Sequence, residues 1–218
     1  MLTDRDIEIL KFINIYGRTF LPVLGRTFFN SEQQARNRIN KLYNQNIVGY
    51  WNTNLITPRR AIVLSSEAKN YFEDELDITP KKVQLGMTTI YHNMVEQMAH
   101  YWLSQVGSIE RTSVAKHGAT MHHVPDMILT LPNGARIFVE IEMQRKSRPR
   151  YDDIFFKAVK DNPAQVLYIL PQADQVQSFA SFLPNWDRVM VIDIDTLIEN
   201  VQKTGKVGAK LQNDLRIG

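Results

Sequence analysis

The sequence predicts a mixed chain, α+β taken whole, with a helical first part and an α/β second part. Three observations predict it. Helical hydrophobic spacing dominates the first forty or so residues, two short β-like runs then flank a polar loop, and β-like runs alternate with helical ones over the second half. A length of 218 residues suits two small domains. With 44% hydrophobic and 22% charged residues the composition is globular, which excludes disordered, collagenous and coiled-coil classes. No apolar run is long enough to span a bilayer, and Met1-Leu2-Thr3-Asp4-Arg5-Asp6 is too polar to open a signal peptide, so a cytoplasmic protein without membrane insertion is expected. The absence of cysteine excludes a disulfide framework, thiolate-bound zinc and thiol catalysis. A net charge of +3 is mild, so a nucleic-acid partner requires that charge to be clustered.

In the first part, Thr3 and Asp6 form an acidic capping box, and Ile9, Ile13 and Tyr16 follow at helical spacing up to Gly17. A short helix is expected over Leu21 to Phe28, its start restricted by Pro22. Ser31 and Gln34 form a second box before a third helix, whose apolar stripe is Ala35, Ile39 and Leu42. Arg36, Asn37, Arg38, Asn40, Lys41 and Asn44 lie off that stripe, and their side chains have the hydrogen-bonding chemistry that reads base edges in a major groove. Ile47 to Trp51 and Ala61 to Leu64 then read as a hairpin with Pro58, Arg59 and Arg60 in its loop. Three helices followed by a hairpin is the order of a winged helix-turn-helix. A further helix is expected over Ser66 to Leu76 and a linker over Glu73 to Lys82, giving a first domain of residues 1–78 and a second of 79–218.

The second part opens with an amphipathic helix over Thr88 to Leu103, in which Met94, Met98 and Trp102 serve as core contacts. Strands are expected over Ser108 to Val114, Met127 to Leu131 and Ala135 to Met143, the last two joined at Pro132-Asn133-Gly134. A helix over Tyr151 to Lys160, an apolar central strand over Val166 to Leu170, a helix over Asp174 to Phe182 and a strand over Val189 to Ile192 follow. The tail after Thr204 reads as loosely held.

Within that order, Asp126 heads the second strand and Glu140-Ile141-Glu142 lies near the end of the third. Alternation sends Phe138, Glu140, Glu142, Gln144 and, on a continuing strand, Lys146 to one face. The hairpin brings Asp126 toward that acidic pair. Carboxylates buried together need a compensating cation, and an all-oxygen set of Asp126, Glu140 and Glu142 suits Mg²⁺ or Mn²⁺. A metal that activates water, with an ammonium that neutralises developing charge, is what phosphodiester cleavage requires. Alternating acids on a strand are also the ordinary mark of a solvent-facing edge. The basic run Arg145, Lys146, Arg148 and Arg150 favours the catalytic reading, because an acidic site that takes a polyanion needs cations around it. His117, His122 and His123 precede Asp126 and are read as phosphate contacts or loop polarity rather than ligands.

Pro125-Asp126 followed by Glu140-Ile141-Glu142 on this element order resembles the PD-(D/E)XK, restriction-endonuclease-like nucleases, over roughly Thr88 to Leu170. That family's lysine would stand where this chain has Glu142. Either Glu142 occupies the lysine position, or Glu142 is the catalytic acid and Lys146 supplies the ammonium, which is the preferred reading. With the preceding winged helix-turn-helix, the chain resembles the replication-relaxation proteins, and among them the MobC-type plasmid mobilization relaxases. The resemblance implies a metal-dependent nicking enzyme acting on DNA at a plasmid transfer origin, with coupling or accessory mobilization proteins as partners and Asp126, Glu140, Glu142 and Lys146 as its catalytic set. Two rival readings are a transposon or restriction enzyme that cuts duplex DNA, and a replication or transcription regulator whose nuclease-like domain is inactive.

Overall fold

Thr3 opens helix α1 (Asp4–Tyr16) with both halves of the expected capping box formed, and Gly17 closes it in the left-handed conformation. These boundaries come from a computed structural model that describes residues 2–76, 79, 89–184 and 186–207. The described residues form a mixed α and β chain with two sheets, divided into two compact units, Met1–Gln97 and Met98–Gly218. That division falls inside a helix, whereas most of the residues around the expected boundary at 78 and 79 lie outside the described ones.

In the first unit α1 is followed by α2 (Leu21–Thr27) and α3 (Glu32–Asn44), then by an antiparallel hairpin of β1 (Val48–Asn52) and β2 (Arg60–Leu64), and by α4 (Ser66–Leu76). Ser31 accepts from the Gln34 backbone, but the Gln34 side chain accepts from Asn30, so only half of the second capping box forms. A Cβ on Gly25 would come within 2.8 Å of the Glu32 backbone, which shows how closely α2 approaches the start of α3. Ile9, Leu10 and Ile13 of α1 meet Leu24, Ala35, Ile39, Leu42, Ile62 and Phe72 in one core. Each of the larger of these side chains contributes roughly 1.5–3 kcal/mol on burial. Thr19 forms an isolated bridge to β2 through two backbone hydrogen bonds with Ile62, of 2.9 and 2.8 Å, which ties the segment before α2 to the hairpin.

Helix α5 (Ile90–Leu103) carries the chain from the first unit into the second. There β3 (Ser108–Arg111), β4 (Met127–Thr130), β5 (Arg136–Ile141), β6 (Gln165–Leu170) and β7 (Val189–Asp193) form one sheet in sequential order. β3, β4 and β5 are antiparallel, while β6 and β7 run parallel to β5. The turn between β4 and β5 is the expected one, with Gly134 at φ 83° and its N–H bonded to Leu131. Helix α7 (Arg148–Asp161) connects β5 to β6, and a 3₁₀ turn (Ala173–Gln175) with α8 (Val176–Phe182) connects β6 to β7. Phe138, Val166, Tyr168 and Leu170 on one sheet face pack with Tyr151, Phe155 and Phe179.

Three elements differ from expectation. The first strand stops at Arg111 because Ser113 caps a helical turn, α6 (Val114–His117), by accepting from the Lys116 backbone. β5 ends at Ile141, although Glu142 still donates its N–H to Ile169. A closing helix, α9 (Ile194–Thr204), follows β7: Asp193 caps it by accepting from Asp195 and Thr196, and Ile194, Leu197 and Val201 make its buried stripe. The tail from residue 208 lies outside the described residues.

Candidate functional site

Strand register builds the centre of the second unit. Met127 stands opposite Val139 and Ile128 opposite Phe138, so one further step along the ladder sets Asp126 beside Glu140 on the same face. On the other side Glu140 pairs with Tyr168 of β6. Asp126 Oδ2 accepts the Ile141 backbone N–H at 2.7 Å, which fastens the carboxylate across the end of the strand. Glu140 Oε1 meets His123 Nε2 at 2.5 Å, and both side chains are only 13–14% exposed. Burial raises the Glu140 carboxyl above its usual range; the His123 hydrogen bond opposes this, the Asp126 charge adds to it, and the charges of His123 and Lys146 oppose it.

Glu142, 5% exposed, is held differently. Its Oε2 accepts from the Lys146 ammonium and, at 2.9 Å, from the Tyr151 hydroxyl. Lys146 does not reach it along a continuing strand, as alternation had suggested. The chain leaves the sheet after Glu142, and the Lys146 backbone N–H donates to the same Tyr151 hydroxyl at 3.0 Å, which turns the loop back before Pro149 opens α7. Arg145 and Lys146 both lie beyond the strand's end, so alternation does not set them on opposite faces. Arg145 instead sits 4.5 Å from the centroid of the Phe182 ring, with Arg148 6.0 Å from it and bonded to the Phe182 carbonyl. Arg150, in the first turn of α7, is exposed.

Three residues that sequence reasoning missed, Asp161, Tyr151 and Tyr168, complete this centre. Asp161, at the end of α7, accepts the backbone N–H of His122 at 3.0 Å and of His123 at 2.8 Å, and meets His122 Nδ1 at 2.9 Å. Burial raises the Asp161 carboxyl, but the hydrogen bonds from His122 and His123 and the His122 charge outweigh it and hold it low. The two histidines thus have carboxylate partners, and Asp161 fixes the segment that presents His123 to Glu140. Tyr151 holds Glu142 and Lys146. The Tyr168 hydroxyl is buried and has no hydrogen-bond partner among the described residues; burial first, then the Glu140, Tyr151, Glu142 and Asp126 charges, raise its pKa well above the ordinary phenol value. The available signal was a tyrosine in an otherwise apolar central strand, two residues from Val166 and from Leu170 on the glutamates' face.

The described residues contain no group of three or more histidine, aspartate or glutamate side chains placed to share one metal ion. Asp126 and Glu140 are the adjacent carboxylates, and Glu142 is turned to the ammonium.

On the first unit, the α3 residues singled out from sequence, Arg38 apart, are exposed. Arg36 pairs with Glu32 at 2.8 Å, Asn37 accepts from Gln33, Asn40 accepts from the Tyr50 hydroxyl at 3.1 Å, and Lys41 extends outward. Tyr43 and Tyr50 meet at 5.1 Å between centroids, and the Arg60 guanidinium lies 5.6 Å from the Tyr50 ring, so helix and hairpin share one basic, aromatic surface. Arg59 is exposed beside it. Arg38 does not belong to this face: it forms a two-pronged pair with buried Asp6.

No family model, curated protein or solved structure matches the chain. No helix among the described residues is long and apolar enough to cross a membrane.

Proposed function

We propose that the chain is a metal-dependent, site-specific DNA-nicking endonuclease acting at a plasmid transfer origin. In this reading the second unit is a PD-(D/E)XK nuclease domain and the first a winged helix-turn-helix that selects the DNA. One observation carries the proposal: Asp126 and Glu140 lie side by side at the carboxyl end of a central strand, and Glu142, two residues further along, holds the Lys146 ammonium.

The residues present fit a small hard cation. Mg²⁺ is commonly bound by only one or two carboxylates, with water and phosphate completing its shell. Asp126 and Glu140 supply that pair, their mutual repulsion is what a cation relieves, and the unpartnered Tyr168 hydroxyl points to a group that the chain alone does not provide. Bound there, Mg²⁺ or Mn²⁺ would polarise the scissile phosphate and acidify a water. Glu142 acts through Lys146, fixing an ammonium where charge develops on the phosphate. His123 orients Glu140, and Asp161 orients His123. Arg145, Arg148 and Arg150 draw the polyanion toward an otherwise acidic centre.

For the first unit, the tight approach of α2 and α3, the exposed polar face of α3 and a hairpin strengthened by Thr19 support a helix placed in the major groove with a wing beside it. Arg36, Asn37, Asn40 and Lys41 would face bases, while Arg59 and Arg60 would meet phosphate.

A second reading, a DNA-binding regulator with a silent second unit, draws on the intrachain partners that Glu140 and Glu142 already have. One assay separates the two. Supercoiled plasmid with and without a transfer origin is incubated with the protein and Mg²⁺ or Mn²⁺. Metal-dependent open circles from the origin plasmid alone support the nuclease, whereas specific binding without any strand break supports the regulator.

A further inference from the structure

Beside Glu142, at the carboxyl ends of β5 and β6, lies a half-open cleft of about 320 Å³. Ligands of α/β sheets gather at such strand ends. Its wall includes Glu142, Gln144, Arg145, Gln175, Ser178 and Phe179. The volume is at the low end of the ~300–1,000 Å³ of small-ligand clefts, which suits one heterocycle with its sugar and excludes a duplex.

The chemistry of the wall selects the ligand. Two primary amides and a hydroxyl offer both donors and acceptors, the pattern that meets the edge of a nucleobase. Phe179 supplies an aromatic floor, and the Arg145 guanidinium, 4.5 Å from the Phe182 ring centroid, is held as a planar surface on which a base can stack. With Glu142 and Arg145 both in the wall, the cleft has no net positive charge to select a phosphate. We propose that this cleft holds one unstacked nucleobase of a single DNA strand, next to the phosphate that the neighbouring carboxylates address. The choice of a strand as substrate rests on the nuclease reading; the cleft's fit to a base does not.

The test uses full-length protein labelled with ¹⁵N and no added metal, so that strand cleavage plays no part. A trinucleotide, the same trinucleotide made wholly abasic, and a free nucleoside monophosphate are titrated while the side-chain amides of Gln144 and Gln175 are followed by NMR. The expected result is movement of both amides with the trinucleotide, none with the abasic strand, and binding weakened about tenfold or more by Ser178→Phe, which fills the cleft from an exposed position on α8. Gln175→Ala, which removes an amide without adding bulk, is expected to weaken binding in the same direction. Equal movement with the abasic strand, or no movement with any strand, overturns the proposal. Monophosphate binding as tight as the trinucleotide's also overturns it, by making the cleft a mononucleotide site. Base binding without nicking activity would sink the nuclease reading and leave the cleft standing; nicking without base binding would do the reverse.

Discussion

Two buried carboxylates in this chain meet opposite fates. Asp6 in the first unit is fully buried, and burial alone would raise its carboxyl; the Arg38 hydrogen bond, the Thr3 backbone and hydroxyl bonds and the Arg38 charge outweigh that and pull it down to about 2. Glu140 in the second unit is also largely buried, yet its neighbours are a histidine and a second carboxylate, and it is pushed up. Asp6 is an acid whose own fold supplies a permanent cation, so its role is complete within the chain. Glu140 sits where a cation is wanted, yet its direct partner is His123, and the Lys146 ammonium is bonded to Glu142 instead. The difference marks the first as a clamp between α1 and α3 and the second as part of a site.

Four predictions sharpen that contrast. Asp126→Ala and Glu140→Gln should each lower single-turnover nicking by about 10³-fold or more, because each removes half of the carboxylate pair, and should leave DNA affinity nearly unchanged in a mobility-shift assay. Nicking at the wild-type rate by both variants would remove the site from Asp126 and Glu140.

Lys146→Ala should cost about 10²-fold in the same assay, roughly 3 kcal/mol, whereas Arg145→Ala, whose guanidinium rests on Phe182, should cost much less. Equal losses for the two variants would reduce Lys146 to a member of the basic patch.

Asp6→Asn should destabilise the first unit by about 2 kcal/mol, read as a lower urea midpoint, since its carboxyl is lowered from 3.8 to about 2. The sign follows from that lowering. The Asp6 contribution is present above its unfolded value of 3.8 and is lost as pH falls through about 2, so wild type and variant should converge in stability across that window. A gap that persists at the acid end would separate the loss from the ion pair.

On the DNA side, Asn40→Ala should cost ~1–3 kcal/mol at one base position, and Arg59→Ala should weaken all sequences alike. Loss of discrimination on Arg59→Ala would exchange the two roles.

Much of this was readable from the sequence, for identifiable reasons. The Thr3 box, the Ala35, Ile39 and Leu42 stripe and the Pro132-Asn133-Gly134 turn are local signals, and the elements they announce are present. Alternation along β5 correctly put Phe138 and Glu140 on one face. It failed at Lys146, because a strand's end is set by what its neighbours hold, here the Tyr151 hydroxyl on the Lys146 backbone. Asp161 and Tyr151 stayed hidden for a related reason: 38 or 39 residues separate Asp161 from the histidines it fixes, and no spacing rule spans a helix and two strands. Helix α9 was not expected, although the Asp193 cap and the Ile194, Leu197 and Val201 spacing are a local signal of the same kind.

The central claim is that Asp126 and Glu140 form a cation site which Asp6, for all its burial, does not. Isothermal titration of the full chain with Mn²⁺ tests it most directly, comparing wild type, Glu140→Gln and Asp6→Asn under conditions in which all three are folded. The account predicts one Mn²⁺ bound by wild type and by Asp6→Asn, and binding weakened at least about tenfold in Glu140→Gln. Undiminished binding by Glu140→Gln, or no binding by wild type, would contradict it.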